Sequence, residues 1–195
     1  MYSALRWPGR VGALWRALIW VRSTGLLVLA LQRVSHRYLL HRAQRGWSAE
    51  TLVLRILIAL ARRSIAILTK CDVAELVDVG QGVYLSDRGF LILGPERIGG
   101  GTLIHERVTI GVRAGDPGRP VIGENVWIGP DCIIYGNVSV GNGATVLPGS
   151  VVSMNVPAGA VISGNPATIV RRGFDNTALR RTLGTDIVRP SMVLE

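Results

Sequence analysis

Residues 121–156 read VIGENVWIGPDCIIYGNVSVGNGATVLPGSVVSMNV, and through this stretch an aliphatic side chain returns every six residues, at Ile122, Ile128, Ile134, Val140, Val146 and Val152. Four places after each of these stands a small or β-branched residue: Val126, Cys132, Val138, Ala144, Ser150 and Val156. Such a period winds as a parallel β-helix, in which three short strands make a triangular coil of about eighteen residues. The aliphatic residue points into the prism, and the second position is small enough to share that interior. Gly123, Gly129 and Gly141 directly follow aliphatic positions. They are expected at corners that need positive φ.

Upstream, Ile110, Ile104, Ile98 and Ile92 keep the spacing; a one-residue slip separates Ile92 from Leu85, and Val79 and Val73 resume it. The prism therefore starts near Val73 and ends around Gly164-Asn165-Pro166. This divides the chain into a helical segment (1–70), a β-helix (71–170) and a C-terminal tail (171–195). The interval from Ile110 to Ile122 is twelve, but residues 113–120 carry none of the apolar phase. They read as a loop bulging from a coil corner, and loops on a rigid solenoid are where sites are usually built.

The chain has 195 residues, 48% hydrophobic and 18% charged, enough to bury one core with an appendage. Its net charge of +9 is unevenly placed. Residues 1–70 hold twelve Arg or Lys against one acid, Glu50, while the remainder has ten basic residues against twelve acidic ones. The first segment reads as helices, from Val11 to about Leu40 with a break at Gly25, and from about Ala49 to Lys70 with Ser48 as cap. Leu52, Val53, Leu54, Ile56, Leu57, Ile58 and Leu60 leave only Arg55 and Arg62 as a polar strip, so this helix needs cover from neighbouring subunits or from a lipid surface. The longest charge-free run there, Ser23 to Gln32, is too short to span a bilayer. Arg16 and Arg22 interrupt the run that a cleavable signal would need. The helices are too apolar for a nucleic-acid surface and carry no such motif. Cys71 and Cys132 form no disulfide framework, which fits a reducing cytoplasm, with the inner membrane surface as the place for a lipid-covered segment.

The run Ile104-His105-Glu106-Arg107-Val108-Thr109-Ile110-Gly111, the loop, and then Pro120-Val121-Ile122-Gly123-Glu124-Asn125-Val126-Trp127-Ile128-Gly129 resemble the hexapeptide-repeat acyltransferases. The similarity is greatest to the serine acetyltransferase branch and its relatives in polysaccharide gene clusters. The close at Val156-Pro157-Ala158-Gly159 and Gly164-Asn165-Pro166-Ala167 is similar to that family's ending, as is the slip before Ile92. The resemblance implies a left-handed β-helix, a homotrimer, acetyl-CoA between neighbouring prisms, and a histidine acting as general base on an acceptor hydroxyl. This chain departs from the serine-specific enzymes at two places. They carry Asp-His where it has Ser86-Asp87, and Arg-His where it has Gly118-Arg119. The acceptor stays open between a serine-like metabolite and a sugar.

Acyl transfer to an alcohol needs a proton acceptor. His36 and His41 belong to the helical segment, which leaves His105 as the prism's one imidazole. Counting one coil back, with the slip, sets Ser86 beside His105 and Asp87 close by. His105 and Asp87 are thus the candidate base and its orienter, with Ser86 and Arg119 toward the acceptor. For coenzyme A, a column holding Gly111 and Gly129 one coil apart would admit the pantetheine arm, and Arg113, Arg171 and Arg172 would meet phosphates. Trp127 is expected to point outward. A three-histidine zinc site does not fit, since two of the histidines are in the wrong segment, so no metal is expected. The alternative function is a trimeric scaffold without catalysis.

Overall fold

The computed structural model describes residues 23–45 and 49–181; the expected helix start at Val11 and cap at Ser48 lie outside the described residues. Helices α1 (Thr24–Arg45) and α2 (Ala49–Thr69) lead into a three-sided left-handed parallel β-helix. Its first face stacks β1 (Cys71–Val73), β4 (Leu91–Leu93), β7 (Thr109–Gly111), β10 (Ile133–Tyr135) and β13 (Val151–Val152). The second holds β2 (Asp78–Val79), β5 (Arg97–Ile98), β8 (Val121–Ile122) and β11 (Ser139–Val140). On the third lie β3 (Tyr84–Leu85), β6 (Leu103–Ile104), β9 (Trp127–Ile128), β12 (Thr145–Val146) and β14 (Val161–Gly164). There β15 (Ala167–Arg171) turns back antiparallel on β14 and closes the end of the prism.

The interior is built as the period requires. Ile122, Ile128, Ile134, Val146 and Val152 have no exposed surface, and Val126, Cys132, Ala144 and Ser150 share the interior with them. Leu85 stacks on Ile104, so the lengthened coil is real. The slip, however, is placed differently from expectation. Leu91 and Leu93 point inward while Ile92 between them is 60% exposed, because successive strand side chains face opposite ways and Leu93, not Ile92, stacks on Ile110. The step from Ile110 to Ile134 is 24 residues, against 18 from Ile134 to Val152, and the surplus is the 112–120 loop.

The glycines after the aliphatic positions are needed for a different reason from the one expected. Positive φ falls at Asn125, Asp131, Gly143 and Gly149, not at Gly123, Gly129 or Gly141. Those three sit where adjacent coils approach too closely for a side chain: a Cβ on Gly141 would lie 2.4 Å from the Ala158 nitrogen. Gly99 shares this constraint, 2.4 Å from the Gly123 carbonyl carbon. Gly99→Ala is therefore expected to cost about 1–3 kcal/mol in urea denaturation. Gly111→Ala, whose Cβ meets nothing within 4 Å, should be close to neutral.

Candidate active site

His105 is the first residue beyond β6, at a corner of the prism. The ladder continues one place past the strands: the Ser86 N–H donates to the Ile104 carbonyl, His105 to Ile128, and Gly129 to Val146. Ser86, His105 and Gly129 therefore stack in one column, as the lengthened coil predicts for the first two. Gly111 is not in that column. It pairs with Tyr135 on the first face, because the loop-bearing coil is 24 residues long and an eighteen-residue count lands on another side. The expected Gly111–Gly129 column does not form.

His105 is buried at 8% exposure, and its ring centroid lies 4.9 Å from that of Trp127 at 56°. Burial pushes its pKa below the ordinary 6.5, outweighing the neighbouring Glu106 carboxylate, which pulls upward; Arg88 adds to the downward shift. The ring is thus neutral at physiological pH. Its Nε2 is buried and has no hydrogen-bond partner among the described residues. An orphaned buried nitrogen of this kind costs roughly 1–3 kcal/mol and asks for a ligand.

The acid beside the imidazole is Glu106. Burial works to raise its pKa, yet its own backbone N–H, the Ser86 hydroxyl, Arg88 and His105 together hold it below the usual carboxylate range. Ser86 Oγ donates to Glu106 Oε2 at 3.1 Å, and Arg88 Nη1 donates to Oε1 at 3.3 Å. Asp87, expected to orient His105, is engaged elsewhere. Its Oδ1 accepts from Ser23 Oγ at 2.8 Å and from the Gly25 N–H at 2.9 Å, both at the start of α1. A carboxylate there satisfies otherwise free helix N–H groups and complements the helix dipole. Gly25, expected as a break, lies in the first turn of α1, where a Cβ would meet the Leu85 carbonyl at 2.4 Å.

Trp127 points away from the prism interior as expected, but it is covered. Leu179, on the short helix α3 (Thr177–Arg181), packs with Leu103, Trp127, Leu147 and Val161 over the third face. Asn176 Nδ2 fixes this strap by donating to the Asn125, Gly143 and Ala144 carbonyls. Sequence reading missed both Glu106 and the strap. Glu106 directly follows the prism's one imidazole, and Leu179 stands with Phe174 among the mostly polar residues 171–182; these were the available signals.

The remaining candidates are dispersed. The Arg113 guanidinium lies 5.7 Å from the Tyr135 ring centroid at the start of the loop, and Arg119 is half-buried at its end. Arg171 sits over Phe174 at 5.4 Å, and Arg172 is exposed. Cys132 lies inside the prism, where burial pushes its thiol up to about 12. It is expected to resist iodoacetamide in the native protein and to react on unfolding, as followed by mass spectrometry.

Residues 119–153 match the family described as Bacterial transferase hexapeptide (six repeats). Serine acetyltransferase 2 of Arabidopsis thaliana is 36% identical over 121 residues, covering 60% of this chain and 38% of the relative. Serine acetyltransferase 4 of the same plant is 32% identical over 180 residues, 88% of this chain and 42% of the relative. The crystal structure of serine acetyltransferase from Brucella abortus strain S19 superposes with a TM-score of 0.67 at 25% identity, covering 84% of this chain and 63% of that one. That enzyme has also been solved with coenzyme A. Over residues 119–153 the chain carries the repeat of that transferase family, and it resembles the hexapeptide-repeat acyltransferases. Within that family its similarity lies with the serine acetyltransferases, although it spans only about two fifths of the length of these curated relatives. As a hexapeptide-repeat protein it keeps the prism and the extended loop, and places its single prism histidine in the column of Ser86.

Proposed function

We propose that this protein is an acetyl-CoA-dependent O-acetyltransferase that uses His105 as general base on the hydroxyl of a serine-like metabolite. The observation that carries the reading is the buried, neutral imidazole whose Nε2 has no partner among the described residues. A neutral ring can accept a proton at pH 7. In the reaction, the acceptor hydroxyl gives its proton to Nε2 while its oxygen bonds to the thioester carbonyl carbon. The carbon–sulfur bond then breaks and the proton passes to the departing thiolate. Glu106, held ionised by Ser86 and Arg88, stabilises the transient imidazolium without itself taking the proton. Nε2 is enclosed within the single chain, so acceptor binding has to open its cover.

The relatives' names and the coenzyme A complex of the Brucella abortus enzyme support acetyl-CoA as donor and a serine-like acceptor. Assembly as a homotrimer, with the cofactor's phosphates meeting Arg113, Arg171 or Arg172, belongs to the same proposal. Thiol release from acetyl-CoA, measured with L-serine and with a panel of sugars, tests it. Acceptor-dependent release with serine-like compounds is the expected result. Release only with sugars moves the acceptor class, and no release with any acceptor leaves the scaffold reading.

A further inference from the structure

Helix α2 turns one stripe, including Ile58, Arg62 and Ile65, inward toward α1 and β1. The opposite side stands open although it is apolar: Leu52, Leu54, Leu57, Leu60, Ile67 and Leu68 are 47–82% exposed. Between residues 52 and 69 the charges are Arg55, Arg62 and Arg63, with no acid. Arg62 is occupied with Asp72 and Glu75, while Arg55 and Arg63 are exposed. An apolar patch of this kind on a helix marks a contact surface.

Three features of the chain select the occupant. A twofold contact with a second copy would set this face against itself, bringing Arg55 and Arg63 toward their own copies with only Glu50, in the first turn of the helix, to offset them. Among the described residues no helix is long and apolar enough to cross a membrane. The surrounding sequence is that of an interfacial segment: residues 1–70 carry twelve basic side chains against Glu50, and four of the five tryptophans, Trp7, Trp15, Trp20 and Trp47, fall within the first 47 residues. Tryptophan favours the headgroup level, and arginine on an apolar helix favours anionic lipid. We propose that the open face of α2 docks on an anionic bilayer, lying in the interface plane and holding the prism at the membrane surface.

The test uses the full chain and sedimentation with vesicles of phosphatidylcholine alone or mixed with phosphatidylglycerol. Binding is expected only to the anionic vesicles, weakening as salt rises. Arg55→Gln with Arg63→Gln is expected to weaken it roughly thirtyfold. Leu57→Ser, Leu60→Ser and Leu68→Ser together should abolish it with the mass of the protein in solution unchanged. Failure to bind either vesicle, or equal binding to both, overturns the proposal. So does a triple variant that binds vesicles normally but loses mass in solution, which would assign the face to a second copy.

Discussion

Replacing His105 with Ala is expected to lower kcat for acetyl-CoA thiol release about a hundredfold or more while leaving the β-sheet circular dichroism intact. The side chain sits at a corner and its loss removes no inward residue of the prism, so folding and catalysis are separable there. A pH signature accompanies it. Burial depresses the His105 pKa below 6.5, so the neutral, active ring persists below the pH at which an ordinary histidine protonates. The acid limb of kcat/KM should therefore have its midpoint below 6.5. Stability follows the same group. Below about pH 6.5 the unfolded chain binds the proton more readily than the folded one. The contribution is complete above that value and is lost as pH falls through the depressed folded pKa. In His105→Gln that portion of the acid destabilisation should disappear, as read from urea midpoints across pH.

The largest expected change in stability comes from Ile104→Ala. Ile104 is fully buried, stacked between Leu85 and Ile128, and its truncation should cost about 2–5 kcal/mol in denaturant unfolding. Ile92→Ala, six-residue phase notwithstanding, should cost well under 1 kcal/mol, because that side chain is 60% exposed. Equal losses at the two positions would contradict the register in which Leu91 and Leu93 fill the prism.

The contrast between these isoleucines shows what the sequence carries. From Val121 to Val152 the period is legible because the coils there have eighteen residues, so counting by six reaches the interior each time, whereas the last coil, from Val146 to Ile162, has sixteen. Around Ile92 three apolar residues stand in a row, Leu91-Ile92-Leu93, and counting alone picks the middle one. The Gly111–Gly129 column failed for a related reason. A fixed count ignores the six residues by which the loop lengthens its coil, whereas the His105–Ser86 alignment used the lengthened count and held.

The electrostatics of the site were less legible. Asp87 lies one place from Ser86, yet nothing in the local sequence indicates that the start of α1, more than sixty residues away, takes its carboxylate. Glu106 falls next to His105 at a corner where outward residues are ordinarily solvated; only the ladder to Ser86 and the reach of Arg88 make it a buried, ionised partner. Long-range contacts of this kind depend on how separate elements dock, which periodicity does not encode. The strap bearing Leu179 is another example, since its cover over Trp127 is set by three carbonyls gripping Asn176.

That His105 presents a neutral imidazole whose Nε2 meets the acceptor hydroxyl is the core of the proposed reaction. It is tested most directly by an NMR titration of the histidine rings, with the His105 signal assigned from His105→Gln, in the absence and presence of coenzyme A and L-serine. A pKa below 6.5 for the free protein is expected, with a shift of the Nε2 resonance when both ligands are present. A ring that titrates at or above the ordinary value, with a resonance indifferent to both ligands, would contradict it.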